Sequence, residues 1–514
     1  MMRRFFIAVL AAAALIASAQ ASAYDLRYPP VRWMSDLDRT PHALPVVRHA
    51  YDPLDGFLLS AEQDVQAISS FATGLGGASR KHLPGLKVEA IDTNNFDEVA
   101  DSTWFTNRIG RYGARPDEVA DSLSNCSPEA KGALIVSQAV VGKYRPTLLV
   151  QDASGNKFAI HLDPPDSPGK ISSPATAAAL ILSNAGFHVA PHCPVTIDRG
   201  RLTLADHAHL LGAYGKREEL TEEKLSSLLD KQPREMRAVA IRMPEGRPFG
   251  RFQFTGRLYS DKNDRMRHQD RRELRGLRVM SSFIGWASIS ERSTYDVFIE
   301  TTDSAGYFEH WLLNLTDVEE PGSLPNPIGT GASLLNGAFA LMTSLDAFWG
   351  TKIVAKYSDS MIEAIVAAAR YPDEASAQAA IAGLKSRRDA LIRYWFTRLS
   401  PLDGFALDPG ADGVLLSCND LATGAGIAEP SQRRYRFQLQ SPYGRAILMP
   451  WREADACSIG IENDLLNQLR SGRAYELLVQ VKDVGAQWWM AAVELAIKSN
   501  GDSAIIAGLN RRTR

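Results

Sequence analysis

Short, β-prone apolar runs alternate with turn-forming residues in the first third of the chain. Residues 133–136 and 147–151 are rich in Leu, Val and Ile, which is typical of strands. The turn-forming sequence DASGN at 152–156 precedes a third such run at 157–162, which predicts a hairpin. An Ala- and Leu-rich run at 174–186 ends on glycine and predicts a helix with a glycine C-cap.

Helical patterns surround a second predicted hairpin in the middle of the chain. The charged segment 216–237 predicts a helical insert, and the segment 270–284 predicts a second helix. Residues 297–300 and 308–313 are β-prone on either side of a turn. Residues 358–400 are again helical in pattern.

After residue 404 apolar and polar residues alternate with a period of two. The alternation is clear at 435–439 and 475–481, as expected for strands with one buried face. We therefore predict a β-rich, sandwich-like domain at 404–514 and an α+β fold class for the chain.

Composition places the chain among ordinary globular proteins. Its 514 residues are 45% hydrophobic and 23% charged, with a net charge of −2, and this length predicts two or three domains. Nothing in the charge favours nucleic acid or an anionic membrane as a partner.

The first 23 residues have the pattern of a signal peptide. Arg3 and Arg4 precede an apolar run at 5–17, and the small residues at 21–23 offer a cleavage site. The alternative is an uncleaved anchor, but the run is short for a membrane span. We expect a periplasmic or secreted protein with no stable membrane insertion after cleavage.

Four cysteines in an exported chain permit two disulfides. Cys418 and Cys457 are the favoured pair because both lie in the predicted β-rich domain. Cys126 and Cys193 are either paired or separate buried thiols, and their spacing leaves this open. None of the four has the spacing of a zinc site.

Several long motifs carry a resemblance to a known family. They are DSTWFTNRIG at 101–110, LDPP at 162–165, RRELRGLRV at 271–279, and YWF with SPLD between 394 and 403. On these motifs the chain resembles a family of exported bacterial proteins without an assigned activity. The body of that family is distantly similar to atypical kinases of the HipA and lipid-kinase type.

The resemblance implies a two-lobed, atypical-kinase-like body over roughly residues 90–405. It divides the chain after the signal peptide into an N-terminal arm at 24–110, a small lobe with an insert at 111–255, and a helical large lobe at 256–403. The β-rich domain follows at 404–514.

In the small lobe the resemblance is broken at the positions that hold phosphate. The family pattern has a lysine where this chain has His161, and a neutral imidazole is a poor substitute for a permanent cation beside a nucleotide. No Asp or Glu occurs between Asp166 and Asp198, although the family's helix should present a glutamate there. The alternative for His161 is a partly buried polar residue without a ligand.

The large lobe lacks the family's charged catalytic positions as well. These positions correspond to Ser288, Ser293 and Asn314 in this chain. Hard divalent cations prefer carboxylate oxygens, so we expect no catalytic residue at these positions or at His161, no bound metal and no cofactor.

Two hypotheses follow for the cleft between the predicted lobes. In the first the chain is a pseudokinase-like binding or scaffold protein for an unknown protein or small molecule, and His161, Arg278 and Trp286 line the cleft. In the second it is an enzyme of nucleotidyl transfer or hydrolysis that uses His161, Asp296 or Asp317. An enzyme should bring at least two of these groups to one point.

An arginine-rich stretch also has two interpretations. Its arginines are Arg265, Arg267, Arg271, Arg272, Arg275 and Arg278. They form either a clamp for an anion or, with Asp261, Asp264, Asp270 and Glu273, an internal salt-bridge network.

Overall fold

The computed structural model describes residues 38–44, 89–113, 115–121, 123, 126–141, 146–212, 216–287, 289–302, 304–318, 336–469, 473–499 and 503–512. The chain divides into two compact units. Among the described residues, those from 38 to 92 and from 99 to 395 belong to the main unit, and those from 93 to 98 and from 396 to 512 belong to the C-terminal unit. The predicted signal peptide lies outside the described residues.

The main unit mixes strands with helices, as expected for an α+β protein. Its strands are β1 His42–Ala43, β2 Leu134–Val141, β3 Pro146–Gln151, β4 Lys157–Leu162, β5 His192–Asp198, β6 Leu202–Leu211, β7 Arg217–Glu219, β8 Glu235–Arg242, β9 Arg247–Gly250, β10 Thr294–Thr302 and β11 Ala305–Leu312. Its α-helices are α1 Ile109–Tyr112, α2 Glu118–Asp121, α3 Ser172–Ala185, α4 Glu222–Leu228, α5 Arg272–Ile284, α6 Gly337–Ala340, α7 Ser344–Val354, α8 Asp359–Ala368 and α9 Glu374–Phe396. Short 3-10 helices cover Arg199–Arg201, His268–Asp270 and Glu291–Ser293.

Seven of the described strands form one sheet in the order β5-β8-β4-β3-β2-β6-β7. The predicted hairpin is confirmed, because β3 and β4 pair antiparallel around the 152–156 turn. Helix α3 follows β4 and ends on Gly186, whose φ of 124° is unfavourable for other residues. Nearly every residue of α3 is buried, and most of its side chains are small.

Four more strands form a second sheet in the order β1-β11-β10-β9 among the described residues. The second predicted hairpin is confirmed by the antiparallel pair β10 and β11, whose register sets Asp296 opposite His310. Each of these two residues therefore has its side chain on the same face of the sheet.

The predicted helix over 216–237 is wrong for most of its length. Only Glu222–Leu228 is helical, and its N-cap is Thr221, whose side chain accepts a hydrogen bond from the backbone of Lys224. The last residues of the segment belong to β8, which pairs with both β4 and β5. The consecutive buried residues at 238–241 of β8 outweighed the helical charge pattern, because a strand that pairs on both sides buries more surface than a solvated helix.

Helices α5 and α7 approach each other closely at a glycine. A Cβ atom on Gly276 would lie 2.6 Å from Cε3 of Trp349, whose side chain is buried. The absence of a side chain at Gly276 is therefore what allows the indole to pack against the backbone of α5.

The C-terminal unit is β-rich, as the alternation predicted. Its strands are β12 Leu402–Gly410, β13 Gly413–Asp420, β14 Arg433–Gln440, β15 Ile447–Ala454, β16 Ser458–Glu462, β17 Ala474–Asp483, β18 Val493–Ser499 and β19 Ala504–Arg511. Helices α10 Leu421–Gly424 and α11 Asn463–Leu466 and the 3-10 helices Pro430–Gln432 and Pro442–Gly444 connect them. The described strands form sheets of order β12-β13-β16 and β15-β14-β17-β18-β19.

Both sheets of this unit contribute to one hydrophobic core, which includes Leu416 from one sheet and Phe437 from the other. The segment Thr93–Glu98 belongs to the same unit although it is far away in sequence. Its Asn95 donates a side-chain hydrogen bond to the Ala507 carbonyl at 2.9 Å, and its carbonyl accepts from Leu509 at 2.8 Å.

The four cysteines form two disulfides, one in each unit. Cys418 pairs with Cys457 as predicted, with 5.4 Å between their Cα atoms. The open question about the other two is answered by a Cys126–Cys193 disulfide with a Cα separation of 5.9 Å. Among the described helices, none has the length and apolar character needed to span a membrane.

Gly276→Ala tests the close packing of α5 on α7. We expect a loss of about 1–3 kcal/mol in the free energy of unfolding from overpacking against Trp349, even though alanine favours helix. Gly200→Ala is the matched control in the same unit, because its added Cβ meets only ordinary contacts. Denaturant unfolding measures both, and equal stabilities for the two variants would contradict this packing.

Candidate functional site

The arginine-rich stretch forms a buried ion-pair network around α5. Arg272 and Arg275 lie one turn apart, and both reach Asp346 on α7, with N–O distances of 3.1 and 3.3 Å. All three side chains are fully buried. Asp346 also accepts a 2.8 Å hydrogen bond from the backbone of Thr343 in the capping box that begins α7.

The same network extends to the residues before α5. Asp270 pairs with Arg267 at 2.6 Å and with Arg275 at 3.2 Å. Asp264 pairs with His268 at 2.8 Å and with Arg271 at 3.4 Å. The internal salt-bridge interpretation of this stretch is therefore confirmed for Arg267, Arg271 and Arg275. Arg272 pairs with Asp346, which was not among the predicted partners.

A second buried cluster lies on the β10–β11 hairpin. His310 Nδ1 lies 2.6 Å from Oδ1 of Asp296, and the indole of Trp104 stacks on His310 with 3.6 Å between ring centroids. The guanidinium carbon of Arg271 lies 4.6 Å from the centre of the same Trp104 ring. Trp104 therefore contacts both His310 of the hairpin, by stacking, and Arg271, by a cation–π interaction.

Burial sets the protonation of this pair. Desolvation raises the pKa of Asp296 well above its ordinary value and lowers the pKa of His310 to about 3. Both directions favour neutral forms, in which the carboxyl O–H donates a hydrogen bond to Nδ1 and keeps its proton. Asp296 is only 1% exposed, which leaves a substrate no access to its carboxyl group.

His161 is held on β4 as a neutral imidazole. Its Nδ1 lies 3.1 Å from the hydroxyl of Thr147 on the adjacent strand. Burial, with a smaller contribution from nearby His192, lowers the pKa of His161 to about 3. This residue therefore supplies no positive charge at neutral pH.

The chain after α5 brings two of the predicted ligand candidates together. Gly285 ends the helix in the left-handed conformation, and the following residue, Trp286, is completely buried. The indole Nε1 of Trp286 donates to Oδ1 of Asp317 at 2.9 Å. Arg278 instead donates to the carbonyl of Phe339 at 2.9 Å, and burial lowers its pKa.

Of the remaining positions predicted to be degenerate, Asn314 and Ser293 form hydrogen bonds with residues close to them in sequence or in space. Asn314 Oδ1 accepts hydrogen bonds from the backbone N–H and the hydroxyl of Thr316, at 3.1 and 2.7 Å. Ser293 is buried, and its carbonyl accepts from the backbone of Leu313 at 2.8 Å. Ser288 lies outside the described residues.

Sequence reasoning missed a groove of about 900 Å³ between the two sheets of the main unit. It is lined by Pro191, the connection 242–248, Ile299, Glu300, Glu309 and Trp311. Proline, methionine, isoleucine and tryptophan supply an apolar surface, and burial raises the pKa of Glu309. No local pattern marks these residues, because they come from strand ends that meet only after folding.

The described part of the chain holds no group of three or more His, Cys, Asp or Glu side chains arranged to bind a metal ion.

Comparisons with known proteins give weak structural similarities, of which one is described by its title. No family model matches the chain, and no curated protein matches it. A solved structure titled "Crystal structure of the golgi casein kinase" is similar over 69% of this chain and 95% of that chain, at 10% sequence identity and a TM-score of 0.27. A likeness at this level carries no argument about function.

Asp346→Asn tests the ion-pair network. We expect a loss of about 3–5 kcal/mol in the free energy of unfolding, because Arg272 and Arg275 keep their charges in a buried site without a counterion. Asp359→Asn is the control, since its carboxylate is 59% exposed and pairs with Lys385 and Arg388 at the surface. The control should lose at most about 1 kcal/mol, and comparable losses in the two variants would contradict the network's role.

His161→Gln tests the neutral imidazole. The pKa of His161 is 6.5 in the unfolded chain and about 3 in the folded chain. Between these two pH values only the unfolded chain binds a proton at this residue. The stability of the native chain relative to the variant should therefore fall by about 1.4 kcal/mol per pH unit between pH 6 and 4. Denaturant midpoints at several pH values measure this, and parallel curves for the two proteins would show that His161 is not desolvated.

Proposed function

We propose that the protein is an exported, pseudokinase-like binding or scaffold protein without phosphotransfer activity. Its body is proposed to be a kinase-like pair of lobes at 111–255 and 256–403, with the ligand in the groove between the two sheets. The two disulfides support export, because disulfides persist in oxidising compartments.

One observation carries the proposal: the strand before α3 offers a neutral histidine where phosphotransfer needs a cation. The strand–helix pair β4 and α3 corresponds, by the resemblance, to the elements that supply a lysine and its glutamate in kinases. Here β4 supplies His161 with its pKa lowered to about 3, and α3 carries no acidic residue along Ser172–Ala185.

The position of the metal-binding aspartate supports the same conclusion. The resemblance implies that Asn314 takes the place of the metal-binding aspartate of kinases. Its side-chain oxygen already accepts two hydrogen bonds from Thr316. A neutral amide oxygen that is already hydrogen-bonded within its own turn is a weak ligand for a divalent cation.

The charges of the groove favour an uncharged ligand over a triphosphate. Two arginines, Arg242 and Arg247, lie among three glutamates, Glu245, Glu300 and Glu309. Arg242 already donates to Asn156 at 3.1 Å and to Glu245 at 3.2 Å. The site therefore lacks the excess of cations that polyphosphate recognition requires.

The enzyme alternative receives less support from the geometry. Of its three candidate groups, Asp296 is buried against His310, and Asp317 accepts from Trp286. His161 is neutral and lies beside Thr147. Each has a structural partner of its own, whereas acid–base catalysis needs groups that converge on an accessible point.

Thermal unfolding with nucleotide tests the proposal. We expect ATP to leave the melting temperature unchanged, with or without Mg²⁺ or Mn²⁺, because a ligand that does not bind the folded chain cannot stabilise it. An active kinase measured in parallel shows that the assay detects binding. A metal-dependent rise in melting temperature, or phosphate transfer from labelled ATP to the chain or a generic substrate, would refute the pseudokinase proposal.

A further inference from the structure

The C-terminal unit carries a stack of aromatic and cationic side chains on the five-stranded sheet. The guanidinium carbon of Arg436 lies 4.3 Å from the centre of the Trp451 ring and 4.5 Å from that of Trp489. The ammonium group of Lys482 lies 4.7 Å from the Trp489 ring. The stack therefore alternates aromatic and cation over four residues.

The arginine at its centre is fixed in orientation. Arg436 Nε donates to Oε1 of Gln480 at 2.8 Å, and Gln480 Nε2 donates to the carbonyl of Met490 at 2.8 Å. Met490 in turn donates its backbone N–H to Val481 at 2.9 Å. These hydrogen bonds also fix the segment that carries Trp489. Both the Trp489 ring and the Arg436 guanidinium are therefore preorganised.

Two further donor nitrogens of Arg436 have no acceptor among the described hydrogen bonds, which involve only its Nε. Glu453 is directly opposite Arg436 on β15, and its charge opposes the lowering of the arginine's pKa by burial. A guanidinium held between two rings offers a planar pair of N–H groups, the geometry that matches a carboxylate.

The surrounding charge also favours an anion. Arg434 and Lys482 are directly opposite each other on β14 and β17, and like charges in that position destabilise a sheet. Arg434 is partly compensated by Asp455 at 3.2 Å, a pair that lies at the surface. Arg434, Arg436 and Lys482 stand against the carboxylates Glu453 and Asp455, so this group has a small excess of positive charge.

Next to this stack a large aromatic surface is exposed. Trp488, the neighbour of Trp489, is 71% exposed. A mostly exposed indole is suited to stacking on a flat, partly apolar ring.

We propose that this surface binds an acidic polysaccharide. The carboxylate of a uronic acid residue is held by Arg436 with support from Lys482, and a neighbouring sugar ring stacks on Trp488. A polysaccharide is the favoured occupant over a nucleic acid because the Cys418–Cys457 disulfide of this unit indicates an oxidising, extracytoplasmic compartment. The inference rests on this unit alone and does not depend on the proposed function of the main unit.

Affinity electrophoresis and calorimetry of the full chain with polygalacturonate test the proposal. We expect binding that weakens with added salt and is lost with fully methyl-esterified polygalacturonate, which has the same sugar rings without the charge. Trp488→Ala should weaken binding about tenfold. Arg436→Lys, which keeps the charge but not the planar fork, should weaken it similarly.

Tyr259→Ala is the matched control, because Tyr259 is an aromatic residue of the main unit that is 83% exposed. It should bind like the native chain. Melting temperatures of all variants confirm folding, and Trp488→Ala should unfold at the native temperature because its side chain is exposed.

Several outcomes would overturn the proposal. They are no binding to polygalacturonate, equal binding to the esterified polymer, an equal loss in Tyr259→Ala, and tighter binding to single-stranded DNA than to polygalacturonate. Retained binding in both Trp488→Ala and Arg436→Lys would show that the stack is only structural.

Discussion

The burial of Asp346 between two arginines is the interaction on which the main unit depends. Its carboxylate meets Arg272 and Arg275 in a site without solvent, and it also caps the start of α7. Removing two cations and an anion from water costs several kcal/mol per ion, which only close pairing offsets. Helices α5 and α7 are therefore tied together by charge as well as by the contact of Gly276 with Trp349.

Three other buried groups of the main unit, His161, Asp296 and His310, are instead kept neutral. Desolvation lowers the pKa of His161 and of His310 to about 3 and raises that of Asp296 well above its ordinary value. Pairing and neutralisation both suit a stable interior, because each avoids an isolated charge away from water. This common constraint links the fold of the unit to the binding or scaffold role proposed for it.

The C-terminal unit places charge differently. Its core is apolar, with residues such as Phe437 and Val479 fully buried, while Arg436 is kept on the outer side of the same strands between tryptophan rings. Because stacking removes only part of the hydration of a guanidinium, the cation stays charged and can meet a ligand. A half-buried cation with a fixed orientation is a feature of recognition, in contrast to the fully buried, paired arginines of α5.

The sequence by itself determined the local elements. The alternation in 435–439 and the glycine at the end of α3 predicted their strand and helix correctly, because period and capping act between near neighbours. The arginine-rich stretch also indicated its own salt bridges with Asp264 and Asp270, which lie within a few residues.

Only the tertiary structure decided which distant groups meet. Asp346, more than 70 residues from Arg272 and Arg275, was not among the predicted partners. The Cys126–Cys193 disulfide, the strand at Glu235–Arg242 and the groove beside Trp311 were likewise settled by packing. The physical reason is that desolvation and sheet pairing act between residues that are close in space, and a local pattern has no information about that proximity.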